Sequence, residues 1–175
     1  MVRSALGHKT AQIGRGPRLG ADYVPAATVV LGSLIAVLPI VSARGWWPDA
    51  GLLMLIGWRL LRADAWPAWW AAPLGFANDL ITGTPIGLSV AVWSAVMIAM
   101  DVLDRRTMWR DYWIEWAIAC VIVGLAEFAQ WRIAAIMGAS VPLSMSAGPS
   151  ILVSVLCFPI AAYIAARLDR WRLGR

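Results

Sequence analysis

Apolar positions along this chain gather into long runs separated by short polar and basic links, and each run reads as a helix meant for a bilayer, which takes about 20 residues to cross. The first run, Val24 to Ala43, carries no charge, and Pro39 is placed to kink it near its end. The second, Pro48 to Leu61, is short, with Trp46 and Trp47 at one edge, Trp58 near the other, and Arg59 and Arg62 able to snorkel to the interface. The third, Trp66 to Thr82, begins with Trp66, Trp69 and Trp70 and ends at the turn Gly83-Thr84-Pro85. Pro85 suits the first turn of a fourth helix that ends near Asp104. A basic loop then leads to the fifth and most polar run, Tyr112 to Met137, with Glu115, Glu127, Gln130 and Arg132 along it. Gly138, Pro142, Gly148 and Pro149 mark the next connection, and the sixth run, Ser150 to Ala166, contains Pro159.

These runs predict an all-α polytopic membrane protein built as a single bundle of six transmembrane helices. Residues 1–21 are polar, glycine-rich and basic without hydrophobic periodicity, which predicts a flexible cytoplasmic tail. The bundle is expected over 22–168 and a second basic cytoplasmic tail over 169–175. Val41-Ser42-Ala43 resembles a signal-peptidase site, but the apolar run is long for a cleaved signal and further spans follow it.

Composition agrees with this reading. The 175 residues are 61% hydrophobic and 14% charged, with a mean hydropathy of +0.69, against roughly 25% charged in an ordinary soluble domain. Six spans use nearly all of that length, so no separate soluble domain fits. A net charge of +5 could point to nucleic acid, but the arginines are scattered between apolar runs and form no basic stripe. Topology explains them better. With both termini cytoplasmic, Arg3, Lys9, Arg15, Arg18, Arg59, Arg62, Arg105, Arg106, Arg110, Arg167, Arg170, Arg172 and Arg175 all fall inside, and only Arg44 and Arg132 do not. Most of the twelve tryptophans lie near run ends, where the ring anchors at the headgroup level, although Trp66, Trp69 and Trp70 could also frame a cage.

The segment Pro73 to Ser89 stands apart. Gly75, Asp79, Gly83 and Gly87 recur every four residues, which predicts one small, slowly winding helical face carrying a carboxylate in otherwise lipid-compatible sequence. Such a face lets backbones approach closely, and Asp79 could fix the register of a span or a partner's helix by hydrogen bonding.

Few chemistries are open to this chain. No metal-ligand cluster occurs, Cys120 and Cys157 lie in apolar runs, and the one histidine, His8, is in the tail, which excludes a histidine-based dyad in the bundle. There is no phosphate-binding GxxxxGK[ST]. Asp79 with Asp101, or with Glu127 in its place, is the one carboxylate pair to weigh for a peptidase, and the six-span order puts Asp79 and Asp101 toward opposite faces of the bilayer. Glu127, Gln130 and Arg132 read as a polar seam holding the fifth span to a neighbour, or as a recognition site. No catalytic, cofactor or metal residue is expected.

The residues Gly75-Phe76-Ala77-Asn78-Asp79-Leu80-Ile81-Thr82-Gly83-Thr84-Pro85-Ile86-Gly87-Leu88 resemble the glycine, Asp-Leu, glycine, Pro-x-Gly pattern of the rod shape-determining MreD family. The resemblance implies a non-enzymatic subunit of the bacterial inner membrane in the elongation machinery. Its implied partners are an MreC-like scaffold, the RodA glycosyltransferase with its transpeptidase, and the MreB filament through the complex, besides membrane lipid. It also implies a fold similar to the substrate-binding subunits of energy-coupling-factor vitamin transporters. On that alternative, Asn78 and Asp79 would contact a small ligand beneath the outer surface, yet the outer links are short, and only Gly138 to Ala147 could form a lid. In the scaffold reading Gly75, Asn78, Asp79, Gly83, Pro85 and Gly87 serve packing and partner binding.

Overall fold

The helix that organises the fold is the shortest run of the sequence. In the computed structural model, which describes residues 23–38, 48–62, 67–104, 112–138 and 147–173, every residue from Gly51 to Arg59 is buried. A helix apolar on all sides has no solvent face to offer and takes a central place. Here it is α2, Ala50–Leu61, packed against α1, Val24–Ile35, and α6, Ala147–Leu173, with lesser contacts to α4, Leu88–Asp104, and α5, Tyr112–Ile136. A 3-10 turn, Ala68–Trp70, leads into α3, Ala71–Thr82, which lies along α4. Among the described residues the regular structure is all helical, in six α-helices and the short 3-10 turn.

Side-chain contacts give the directions. Trp58 near the end of α2 donates from Nε1 to Thr28 Oγ1 near the start of α1 at 2.8 Å, so these two helices run antiparallel. They approach closely at the other end, where a Cβ on Gly32 would stand 2.8 Å from the carbonyl oxygen of Ala50. Arg59 pairs with Asp101 at the end of α4, and Arg62 pairs with Asp169 near the end of α6. The last turns of α2, α4 and α6 therefore gather at one end of the bundle, together with the start of α1. The opposite end holds the starts of α2, α4 and α6.

Two helices, over Trp116–Ile136 and Gly148–Arg172, are long and apolar enough to cross a membrane. Their outward faces expose Val121, Leu125 and Phe128 on α5 and Leu152, Leu156 and Ile160 on α6. An apolar exterior of this kind is consistent with a helical membrane protein. The interior gathers Trp58, Leu52, Leu55 and Ile56 of α2 and Trp93, Met97 and Met100 of α4 in one buried cluster.

Several expected boundaries shift. The first helix ends at Ile35 and gives way to a turn, so its expected continuation, the Pro39 kink, and Trp46 and Trp47 lie outside the described residues. Pro85 does not open the fourth helix; it sits in the turn and its carbonyl accepts from Leu88 N–H at 3.0 Å. The sixth helix runs to Leu173, with Pro159 inside it, so Asp169 and Arg172 belong to the packed bundle rather than to a tail. Their mutual ion pair and their burial hold the helix together past Ala166.

Candidate functional site

The segment singled out by its glycines folds as a tight helical hairpin, α3 to α4, built around one carboxylate. Gly83 follows α3 at φ 69°, the left-handed conformation that ends a helix and favours glycine, and its N–H donates to the Asp79 carbonyl at 3.0 Å. Five residues later α4 starts with N–H groups that no helical carbonyl can meet. The Asp79 side chain meets them from the preceding helix. Its Oδ2 accepts from Gly87 N–H at 2.8 Å, and its Oδ1 accepts from Ser89 N–H at 2.9 Å and from Thr84 Oγ1 at 2.8 Å. Asp79 thus ends α3 through its backbone and caps α4 through its side chain, where the positive end of the α4 dipole favours a carboxylate.

The four-residue row is therefore not one helical face. Gly75 alone of its glycines lies in a helix interface, where a Cβ would come within 2.8 Å of the backbone of Ser89 and Val90. Gly83 and Gly87 have φ of 69° and 98°, and a Cβ on either would meet nothing within 4 Å. They serve the turn, and the regular spacing holds helical meaning only as far as Thr82. Asn78 lies beside Asp79 in the same interface and donates from Nδ2 to Ser89 Oγ at 2.9 Å.

The expected seam on α5 forms in part. Glu127 is buried and accepts from Ser154 Oγ of α6 at 3.1 Å. Gln130 is half-buried on the same side, whereas Arg132 is exposed and rests its guanidinium 5.8 Å from the Trp131 ring. Five residues carry Arg132 too far around the helix to join Glu127. Asp79 and Asp101 are not brought together: one caps the start of α4 and the other lies in its last turn, pairing with Arg59. Trp69 and Trp70 stack on each other, ring centroids 4.9 Å apart, with Trp69 exposed, while Trp66 and Arg44 lie outside the described residues and the Glu115 side chain is not described.

Two clusters emerge that the linear reading did not assemble. At the end where α2 begins, Asp49 caps that helix, its Oδ1 accepting from Leu52 N–H at 3.0 Å. Gln130 and Trp93 face this carboxylate, and Glu127 stands close by with Ser150 beside it. Two acids thus converge on the positive end of the central helix. An Asp three residues ahead of a leucine at the start of an apolar run is a readable cap signal; its convergence with Glu127 is tertiary. At the other end Asp169 accepts from Arg62 at 3.1 Å and from Arg172 at 2.9 Å.

No family model, curated protein or solved structure matches this chain.

Proposed function

We propose that this chain is a six-span inner-membrane subunit of MreD type, without an enzymatic role of its own, which binds the transmembrane helix of an MreC-like scaffold. Through that scaffold it would act on RodA, its transpeptidase and the MreB filament in lateral peptidoglycan synthesis. The observation that carries this reading is a groove of about 370 Å³ between α4 and α5, lined by Ala91, Ala95 and Ala99 on one side and Ala126 and Ala129 on the other. Small residues four apart let a second helix approach to backbone distance, the means by which helices associate in lipid. The three α4 alanines are exposed, so the strip faces outward and is not consumed in the bundle's own packing. The gathering of the last turns of α2, α4 and α6 with the start of α1 at one arginine-bearing end supports a six-span topology in which that end is cytoplasmic.

The alternative, a vitamin transporter's substrate-binding subunit, rested on Asn78 and Asp79 as ligand contacts. Both turn into the α3–α4 hairpin, so that reading is not favoured.

Affinity purification of the full chain in mild detergent, followed by mass spectrometry, tests the proposal. Recovery of a single-span scaffold with cell-wall synthases, lost on Ala95→Trp without loss of folding, is the expected result. Recovery of an ATP-driven coupling module or a stoichiometric vitamin, or partner binding indifferent to Ala95→Trp, overturns it.

A further inference from the structure

A second groove, of about 480 Å³, runs between α1, the start of α2 and α6, with Leu31, Gly32, Leu53, Cys157, Ala161 and Leu168 among its walls. Along α6 it extends from Cys157 to Leu168, about 16 Å at the helical rise. That is close to half of the roughly 30 Å hydrocarbon core, the depth of a single leaflet. It is open along its length, bordered by the exposed side chains of Leu31, Ile160 and Ile164.

The groove stops one helical turn short of charges that do not balance. Arg62 and Arg172 share the carboxylate of Asp169, so among the described residues two guanidinium groups meet one carboxylate and one positive charge is left over. Arg172 is four residues beyond Leu168 and on the same side of α6. Its guanidinium carbon lies 5.7 Å from the Trp58 ring centroid, and its Nε–H is buried without an acceptor. The Arg62 side chain is 40% exposed and reachable from outside. Arg167, exposed and in no ion pair among the described residues, adds a further positive charge on the flank of α6 that carries Ile160 and Ile164.

We propose that this groove is a binding site for an anionic phospholipid, with one acyl chain against α1, α2 and α6 and the phosphate held by Arg62 and Arg172. An apolar slot of leaflet depth that ends at surplus guanidinium charge matches the two chemistries of such a lipid in their natural order. Guanidinium forks suit phosphate oxygens, and the surplus charge distinguishes an anionic headgroup from a zwitterionic one. The proposal rests on the membrane reading above but not on any protein partner.

The test uses the full chain, purified in mild detergent, stripped of lipid, and offered phosphatidylglycerol or phosphatidylcholine, with bound lipid counted by native mass spectrometry. Phosphatidylglycerol is expected to bind in preference. Arg62→Gln should weaken it about fivefold while leaving phosphatidylcholine unchanged. Cys157→Phe, which fills the slot, should weaken both lipids. Should Arg62→Gln lower the thermal midpoint of the lipid-free protein, Arg167→Gln replaces it, since that side chain is exposed and makes no hydrogen bond or ion pair among the described residues, and a smaller loss in the same direction is expected. Equal binding of the two lipids, or phosphatidylglycerol binding indifferent to the charge and slot variants alike, overturns the site. Alkaline carbonate extraction of host membranes separates the two levels: release of the chain would remove the membrane reading, whereas retention without lipid selectivity removes the lipid site alone.

Discussion

Asp79 and Ser89 are ten residues apart in sequence, in different helices, and the carboxylate of the first accepts the backbone N–H of the second at 2.9 Å. With the bonds from Gly87 and Thr84, this makes one side chain responsible for the geometry of the α3–α4 hairpin. Asp79→Asn keeps the volume but turns an amide N–H₂ toward at least one donor. Charge-assisted hydrogen bonds are worth roughly 1.5–3 kcal/mol each when buried, so a loss of about 2–3 kcal/mol is expected. Thermal unfolding in detergent reads it; a midpoint equal to wild type would show that the cap is dispensable.

Gly75 and Gly83 should respond in opposite ways to added bulk. Gly75→Ala puts a methyl 2.8 Å from backbone atoms of Ser89 and Val90 that cannot rotate away, and overpacking of this kind costs about 1–3 kcal/mol. Gly83→Ala meets open space and pays only for the left-handed conformation, on the order of 1 kcal/mol. Gly83→Leu should then cost little more than Gly83→Ala, whereas Gly75→Leu should prevent the hairpin from closing. Comparison of the four variants by unfolding midpoint decides it.

The Arg59 and Asp101 side chains are expected to be coupled. Arg59 is 4% exposed, so replacing Asp101 alone by leucine leaves a buried cation without that carboxylate. Replacing both by leucine removes the charge along with its partner. In a double-mutant cycle the pair should show an interaction energy of about 1–3 kcal/mol, and the double variant should be more stable than the sum of the single losses implies. Additive losses would show that the two charges act independently.

Cysteines introduced at the two ends of the bundle should label from opposite sides. Ile86, in the hairpin turn and 74% exposed, stands at the end where α4 starts, and Arg170, also exposed, stands at the end where α6 finishes. In a background without Cys120 and Cys157, a membrane-impermeant maleimide applied to intact cells should modify Ile86→Cys and spare Arg170→Cys. Modification of both from outside would contradict an inside C-terminus.

Much of the fold could be read along the chain because its helices are specified by local apolar runs and the breaks between them. The α4 and α5 limits, Asp104 and Tyr112, fall where charge and aromatic residues interrupt the pattern. What composition could not show was the sharing of polar groups between helices. Asp79 was visible as an unusual carboxylate in apolar sequence, but its acceptance of Gly87 and Ser89 N–H depends on how the five-residue turn folds back. The periodic glycines misled for a related reason: a spacing of four is helical only where the backbone remains helical, and Gly83 ends it. Arg172 looked like part of a basic tail because its pairing with Asp169, three residues back, depends on the helix continuing past Ala166, and the Trp58 ring becomes its neighbour only when α6 is laid against α2.

The short central helix has a consequence for how the protein is made. On the proposed six-span reading, the twelve residues of α2 span about 18 Å, well under the thickness of a bilayer core, and the helix carries Arg59 in its last turn, so a translocation channel reading one segment at a time would find it a poor substrate for lateral release. Its neighbours supply what it lacks: Thr28 of α1 receives the Trp58 indole N–H, and Asp101 of α4, two helices downstream, receives Arg59. Biogenesis of this chain is therefore expected to hold α2 in a provisional position until α4 has been synthesised, making its insertion a cooperative event completed from the C-terminal side.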